Sequence, residues 1–205
     1  TAGISYRYLL RNRGMCMAVR HYFLGANTGG GFVSVYDEFC PPECGVFLWV
    51  LKGGPGCGKS SFMKAIGRAA EDAGLDVEYV LCSGDPDSVD GVYVPAWQIA
   101  YVDGTAPHVR EVPFPAASGA YLDLGQFYRC EELVPKLPEL MRLTERYRAH
   151  YARAYDELRQ AKALHDELES VYNPHVDFDG VYKLAEDHIQ KIKKSHCKPA
   201  ENGVE

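Results

Sequence analysis

The 205-residue chain has little of what several large protein classes require. No apolar run approaches the roughly 20 residues that span a bilayer; Val46–Leu51 is far too short. There is no surplus of positive charge. Lys and Arg total 22 against 28 Asp and Glu, for a formal net charge of -6. That balance argues against a protein that coats nucleic acid or an anionic membrane surface. There is no paired set of cysteines either. The seven, at positions 16, 40, 44, 57, 82, 130 and 197, are odd in number and irregular in spacing. This excludes a disulfide framework and points to free thiols in a reducing cytoplasm. Cys40 and Cys44 lie four apart, but no second Cys/His pair follows at a zinc-site spacing. Residues 1–17 carry Arg7, Arg11 and Arg13 without an acid and without the apolar stretch of a secretory signal. They could pass for a transit peptide, but the plainer reading is an extension ahead of Met15 or Met17. Residues 198–205 read as a tail.

What is present is a phosphate-loop pattern in its proper setting. Gly53-Gly54-Pro55-Gly56-Cys57-Gly58-Lys59-Ser60 matches G-x-x-x-x-G-K-[ST]. Glycines let backbone N–H groups close around phosphate oxygens where a side chain would block the approach. Val46–Leu51 before it is apolar throughout, as a strand buried on both faces requires. Ser60–Ala73 after it shows helical spacing at Phe62, Ile66, Ala69 and Ala73, with Gly74 as a stop. The helix would aim its positive end at the anion. Lys59 would neutralise the β- and γ-phosphates and Ser60 would ligate Mg²⁺, with Ser61 completing the loop.

The metal also needs an acid behind it. Gln98-Ile-Ala-Tyr-Val102 followed by Asp103 has the apolar-strand-then-Asp form. The next residue is Gly104, where many ATPases have Glu, so a base must come from elsewhere. The acidic loop Ser83–Gly91 carries three carboxylates, Asp85, Asp87 and Asp90, which could orient water, bind metal or position an acceptor hydroxyl, with Asp85 the candidate catalytic residue. Such loops at strand ends line the ligand crevice of an open parallel sheet. The alternative is a solvated Asp/Ser/Pro turn. Thr105 and His108 follow Asp103 closely enough to sense a γ-phosphate. Cys57 inside the loop predicts either a reactive thiol that bound triphosphate shields or an inert stand-in for Thr.

The remaining pattern sets the architecture. Arg20–Gly25, Asp76–Cys82, Val92–Val94 and Gln98–Val102 read as further strands, giving an α/β parallel sheet flanked by helices over residues 18–128. Asn27–Gly31 reads as a turn, Phe32–Phe39 as amphipathic turns, and Pro107–Ala117 as a linker. Residues 129–197 turn charged and helical. Leu140, Tyr147, Tyr151, Ala154, Leu158, Ala161, Leu168 and Tyr172 form a three-four seam. Asn173-Pro174 breaks it and a second helix follows through Val181, Leu184, His188 and Ile192, so a helical hairpin is expected, with its tyrosines as packing residues.

Several segments together resemble one family: Arg20-His-Tyr-Phe, the loop from Leu51 to Ser60, Cys82-Ser-Gly-Asp-Pro-Asp-Ser-Val-Asp-Gly91 and Val102-Asp-Gly-Thr-Ala-Pro-His108. They look like a family of bacterial P-loop proteins whose members are named only as ATPases. The resemblance runs from Val19 to Ile192, and departs at Cys57, where Thr is commoner. It implies a tandem of two P-loop halves joined by helices, with this chain as the first half. The expected function is ATP binding with Mg²⁺ and hydrolysis coupled to a conformational change. Alternatives are a small-molecule or nucleotide kinase, in which the acidic loop holds the acceptor, and a non-catalytic nucleotide-binding module. The helical hairpin would dock a protein partner or the second half.

Overall fold

The computed structural model describes residues 17–107 and 109–196. The expectations for the N-terminal extension, the tail and His108 fall outside those residues. Six strands form one sheet in the order β1-β5-β6-β7-β4-β8: β1 Val19–Phe23, β4 Phe47–Lys52, β5 Val77–Leu81, β6 Val89–Val94, β7 Ile99–Asp103 and β8 Gly119–Asp123. Strands β2 (Gly25–Thr28) and β3 (Gly31–Ser34) form a separate antiparallel hairpin. The glycine-rich run at residues 27–31 turns between them, as expected of it, with Gly31 at φ 101°.

The chain is mixed α/β and its large sheet is mostly parallel. β1 pairs parallel with β5, and β4 pairs parallel with both β7 and β8. One strand departs from the parallel expectation. β6 runs antiparallel to β5 on one side and to β7 on the other. Connection length explains it. Residues 82–88 and 95–98 are each too short to cross the sheet, and only antiparallel neighbours can be joined by a tight turn. The five other strands share one direction, so the loops after β4, β5, β7 and β8 emerge at one end of the sheet, where β6 begins.

Helix α1 (Lys59–Asp72) covers one face. Its Met63 and Ala70 pack with Leu51, Val77, Val92 and Val94. The other face is covered by Tyr36, Phe39 and Val112, packed on Leu48, Val50 and Val102. β4 therefore buries side chains on both faces, each worth roughly 1.5–3 kcal/mol, and holds the start of the glycine-rich loop at residues 53–58 between two layers. Two readings need correction here. The segment read as amphipathic turns opens as β3 and closes as a one-turn 3-10 helix at Tyr36–Glu38. The expected linker is pinned to the core by buried Val112 and by Arg110, whose guanidinium donates to Asp37 Oδ1 at 2.9 Å. β8 extends the sheet where no strand was expected.

A short helix α2 (Cys130–Leu133) leads into α3 (Leu137–Tyr172), and α4 (Phe178–His196) follows a single 3-10 turn at Asn173–His175. The chain divides into two compact units at Leu158/Arg159, so the first part of α3 belongs with the sheet. In the second unit every residue from Arg159 to Ser195 is exposed. The apolar spacing at Ala161, Leu168, Val181 and Leu184 therefore does not mark a buried seam. No helix among the described residues is long and apolar enough to cross a membrane.

Candidate functional site

The glycine-rich loop at residues 53–58 links β4 to α1, and its shape depends on glycine. Gly53 has φ 140°, and a Cβ there would lie 2.6 Å from Cys57 Sγ and 3.1 Å from the Gly125 backbone nitrogen. Gly58 caps α1 at φ 90°, a left-handed conformation that other residues resist. Pro55, Gly56 and Gly58 are exposed, while Gly53, Gly54 and Cys57 are half-buried. Residues from beyond β8 pack over the loop, and Tyr128 Oη donates to the Pro55 carbonyl at 2.7 Å.

Lys59 opens α1 and is 9 % exposed. Its ammonium donates to the carbonyls of Gly53 at 2.7 Å and Gly54 at 3.1 Å. It also lies 3.8 Å from Cys57 Sγ and 3.6 Å from Asp103 Oδ2. Asp103 ends β7, the immediate parallel neighbour of β4, with Leu51 and Asp103 in register. The two strands thus deliver the lysine loop and the acid side by side. Thr105 orients the carboxylate: its backbone N–H donates to Asp103 Oδ1 at 2.9 Å and its hydroxyl at 2.6 Å. Both bonds fall on one oxygen, leaving Oδ2 toward Lys59. Thr105 was expected to sense phosphate directly; the contact it makes is with the acid.

Ser60 lies next on the helix, and its Oγ accepts the Val89 backbone N–H at 2.9 Å. Ser61 is exposed. Asp85 is not gathered with these groups. It is exposed, and its carboxylate accepts the Asp87 N–H at 3.2 Å within its own turn. That is the local turn geometry of an Asx residue. The acidic loop does reach α1 by another route, since Lys64 Nζ donates to the Asp87 carbonyl. The acid of this segment that lies inside the protein is Asp90, 5 % exposed on β6, which accepts the Tyr36 hydroxyl at 3.1 Å. Burial, and then the neighbouring Asp90 charge, push the Tyr36 phenol well above its usual range. Asp90 lies seven residues from the Ser83 that opens the loop, and a strand of Val-Asp-Gly-Val gives no local hint that its acid turns inward.

A cavity of about 390 Å³ opens at this same end of the sheet. Asp90, the 82–84 turn and Ala106-Pro107 line it from the sheet side, the β2–β3 hairpin supplies Asn27 and Phe32, and α3 supplies Tyr147, Tyr151 and Tyr155. These tyrosines are four apart and so share a helix face. Their rings pack in sequence with centroids 4.8 and 5.9 Å apart. Burial, followed by a hydrogen bond to Tyr151, raises the Tyr147 phenol to about 12. The expected helix-seam tyrosines thus face a cavity instead.

Among the described residues no group of three or more His, Cys, Asp or Glu side chains is placed to hold a metal ion. Asp103 and Ser60 offer hard oxygens, which suit a Mg²⁺ ion that takes one or two protein ligands and completes its shell with phosphate and water. No protein-family model, curated protein or solved structure matches the chain.

Proposed function

We propose that the protein binds ATP as its Mg²⁺ complex on Gly53–Ser60 and hydrolyses it. The observation that carries this reading is the buried Lys59 ammonium between the loop carbonyls and Asp103. A buried ammonium shared between two carbonyls and a carboxylate at 3.6 Å is poised to exchange neutral acceptors for phosphate oxygens, which bind it more strongly. The N-terminus of α1 adds its positive end. Ser60 Oγ and Asp103 would hold the Mg²⁺, which neutralises charge on the phosphates. Lys59 would hold the β- and γ-phosphates, and Thr105 would keep Asp103 aimed. The resemblance to the tandem P-loop family supports the same reading. It also supports the exposed Leu- and Tyr-bearing helices from Arg159 onward as the arm that docks a protein partner or a second P-loop half.

A second reading, phosphoryl transfer to a small acceptor, is favoured by the cavity beside the loop. It narrows the acceptor-holding role of the acidic loop to Asp90, which lines the cavity. Calorimetry with Mg·ATP, followed by phosphate release with and without added small molecules, tests both. Lys59→Ala should weaken Mg·ATP binding by about 10- to 100-fold, the worth of a charged hydrogen-bonded contact. Its circular dichroism should stay unchanged, because the ammonium's partners are loop carbonyls and the Asp103 carboxylate rather than side chains of the apolar core. Unchanged affinity in Lys59→Ala would overturn nucleotide binding on this loop.

A further inference from the structure

The cavity over Asp90 is built before any ligand arrives. Three elements distant in sequence are tied around it by a chain of hydrogen bonds. Tyr155 Oη donates to Asn27 Oδ1 at 3.0 Å, Asn27 Nδ2 donates to the Ser83 carbonyl at 2.9 Å, and Ser83 Oγ donates to the Gly25 carbonyl. Helix α3, the β2–β3 hairpin and the turn after β5 are thereby fixed to one another. Its size lies within the roughly 300–1,000 Å³ of ligand sites, which are mostly apolar with a few polar groups fixing orientation.

The lining specifies the chemistry of the occupant. Phe32 and the tyrosine ladder offer aromatic faces, which favour a flat ring. Asp90 contributes one buried carboxylate and Arg148 one guanidinium at the exposed rim, so the cavity carries no net formal charge and a neutral molecule suits it. The Asp90 carboxylate is a strong acceptor held at depth, and the Tyr36 hydroxyl steadies it at 3.1 Å. A hydroxylated arm would donate to it. A flat ring joined to a neutral hydroxylated arm is the make-up of a nucleoside.

We infer that this cavity is a binding site for a nucleoside, separate from the phosphate loop and opening at the same end of the sheet. The inference does not depend on ATP binding to Gly53–Ser60, and its test is arranged to keep the two apart. Adenosine, guanosine, cytidine and uridine are titrated by calorimetry into the whole protein, into Ala152→Trp and into Lys59→Ala. Ala152 lines the cavity from the exposed surface of α3, so Trp there fills the space without entering the core. At least one nucleoside should bind the wild type. Ala152→Trp should weaken it at least about tenfold, with its thermal melt unchanged. Lys59→Ala should leave it within about twofold. Asp90→Asn, which keeps the shape and removes the charge, should also weaken binding and serves as the check should Ala152→Trp fold poorly. The inference is overturned if no nucleoside binds at about 5 mM, if Ala152→Trp and Asp90→Asn bind as the wild type does, or if saturating Mg·ATP abolishes nucleoside binding to the wild type, which would assign the nucleoside to the site on Gly53–Ser60. Loss of Mg·ATP binding in Lys59→Ala with nucleoside binding intact leaves both sites standing, each on its own result.

Discussion

At the residue scale the site turns on which oxygen of Asp103 does what. Thr105 occupies Oδ1 with two donors, and Oδ2 faces Lys59 at 3.6 Å. Asp103→Asn keeps an acceptor for Thr105 but sets an amide donor toward an ammonium and removes the charge behind the proposed Mg²⁺. The Mg²⁺ concentration that half-saturates nucleotide binding should rise about tenfold, equivalent to roughly 1.4 kcal/mol. Affinity for metal-free nucleotide should change less, and calorimetry at a series of Mg²⁺ concentrations separates the two. If Asp85→Asn produces this signature and Asp103→Asn does not, the metal acid lies in the acidic turn. Cys57 offers a probe of the same place. It is half-buried inside the loop, whereas Cys40 is buried in the core. Brief iodoacetamide labelling read by mass spectrometry should modify Cys57 in the free protein, and Mg·ATP should suppress it. Equal labelling with and without Mg·ATP would place the nucleotide elsewhere.

At the scale of elements, α1 sits against the sheet only because one of its residues has no side chain. A Cβ on Gly67 would lie 2.0 Å from Tyr79 Oη and 2.4 Å from its ring. Gly67→Ala gains about 1 kcal/mol of helix propensity but must displace a ring that Glu71 holds by its hydroxyl. Overpacking of this kind costs typically 1–3 kcal/mol. The melting temperature should therefore fall, and a rise would show that the helix can shift outward at little cost. The elements legible in the sequence were those with local signals. β4, the loop and α1 follow one another without a break, so hydrophobic run, glycines and helical spacing agree. β8 was not legible because Gly119-Ala-Tyr-Leu-Asp123 becomes a strand by pairing with β4, a partner some seventy residues away. The reversal of β6 follows from two short connections, yet a strand pattern carries no direction. The tyrosine spacing on α3 was legible as a helix face, but a helical period does not say whether that face meets another helix or a cavity. Asp103 was found from its strand, while Asp90 was hidden inside a turn-like acidic run.

At the scale of the molecule, the glycine-rich loop and the cavity are joined through the strand that breaks the parallel pattern. Ser60 accepts the Val89 N–H, and the next residue, Asp90, lines the cavity. On the other side, Asp103 is followed within four residues by Ala106 and Pro107, which line it too. A ligand in either place that shifts these shared segments would alter affinity in the other by the same factor. The Ser60–Val89 bond also makes a backbone amide a witness to the loop. Because that N–H points to a side chain rather than into the ladder, its protection from solvent deuterium depends on one hydroxyl. Ser60→Ala should speed deuterium uptake at Val89 with no nucleotide present, while Ser60→Thr, which retains the hydroxyl, should leave it slow. Uptake at Val89 that ignores the Ala substitution would mean the strand shields this amide unaided. With the expected result, isotope exchange at the first residue of β6 reports the state of the loop before α1 without any turnover.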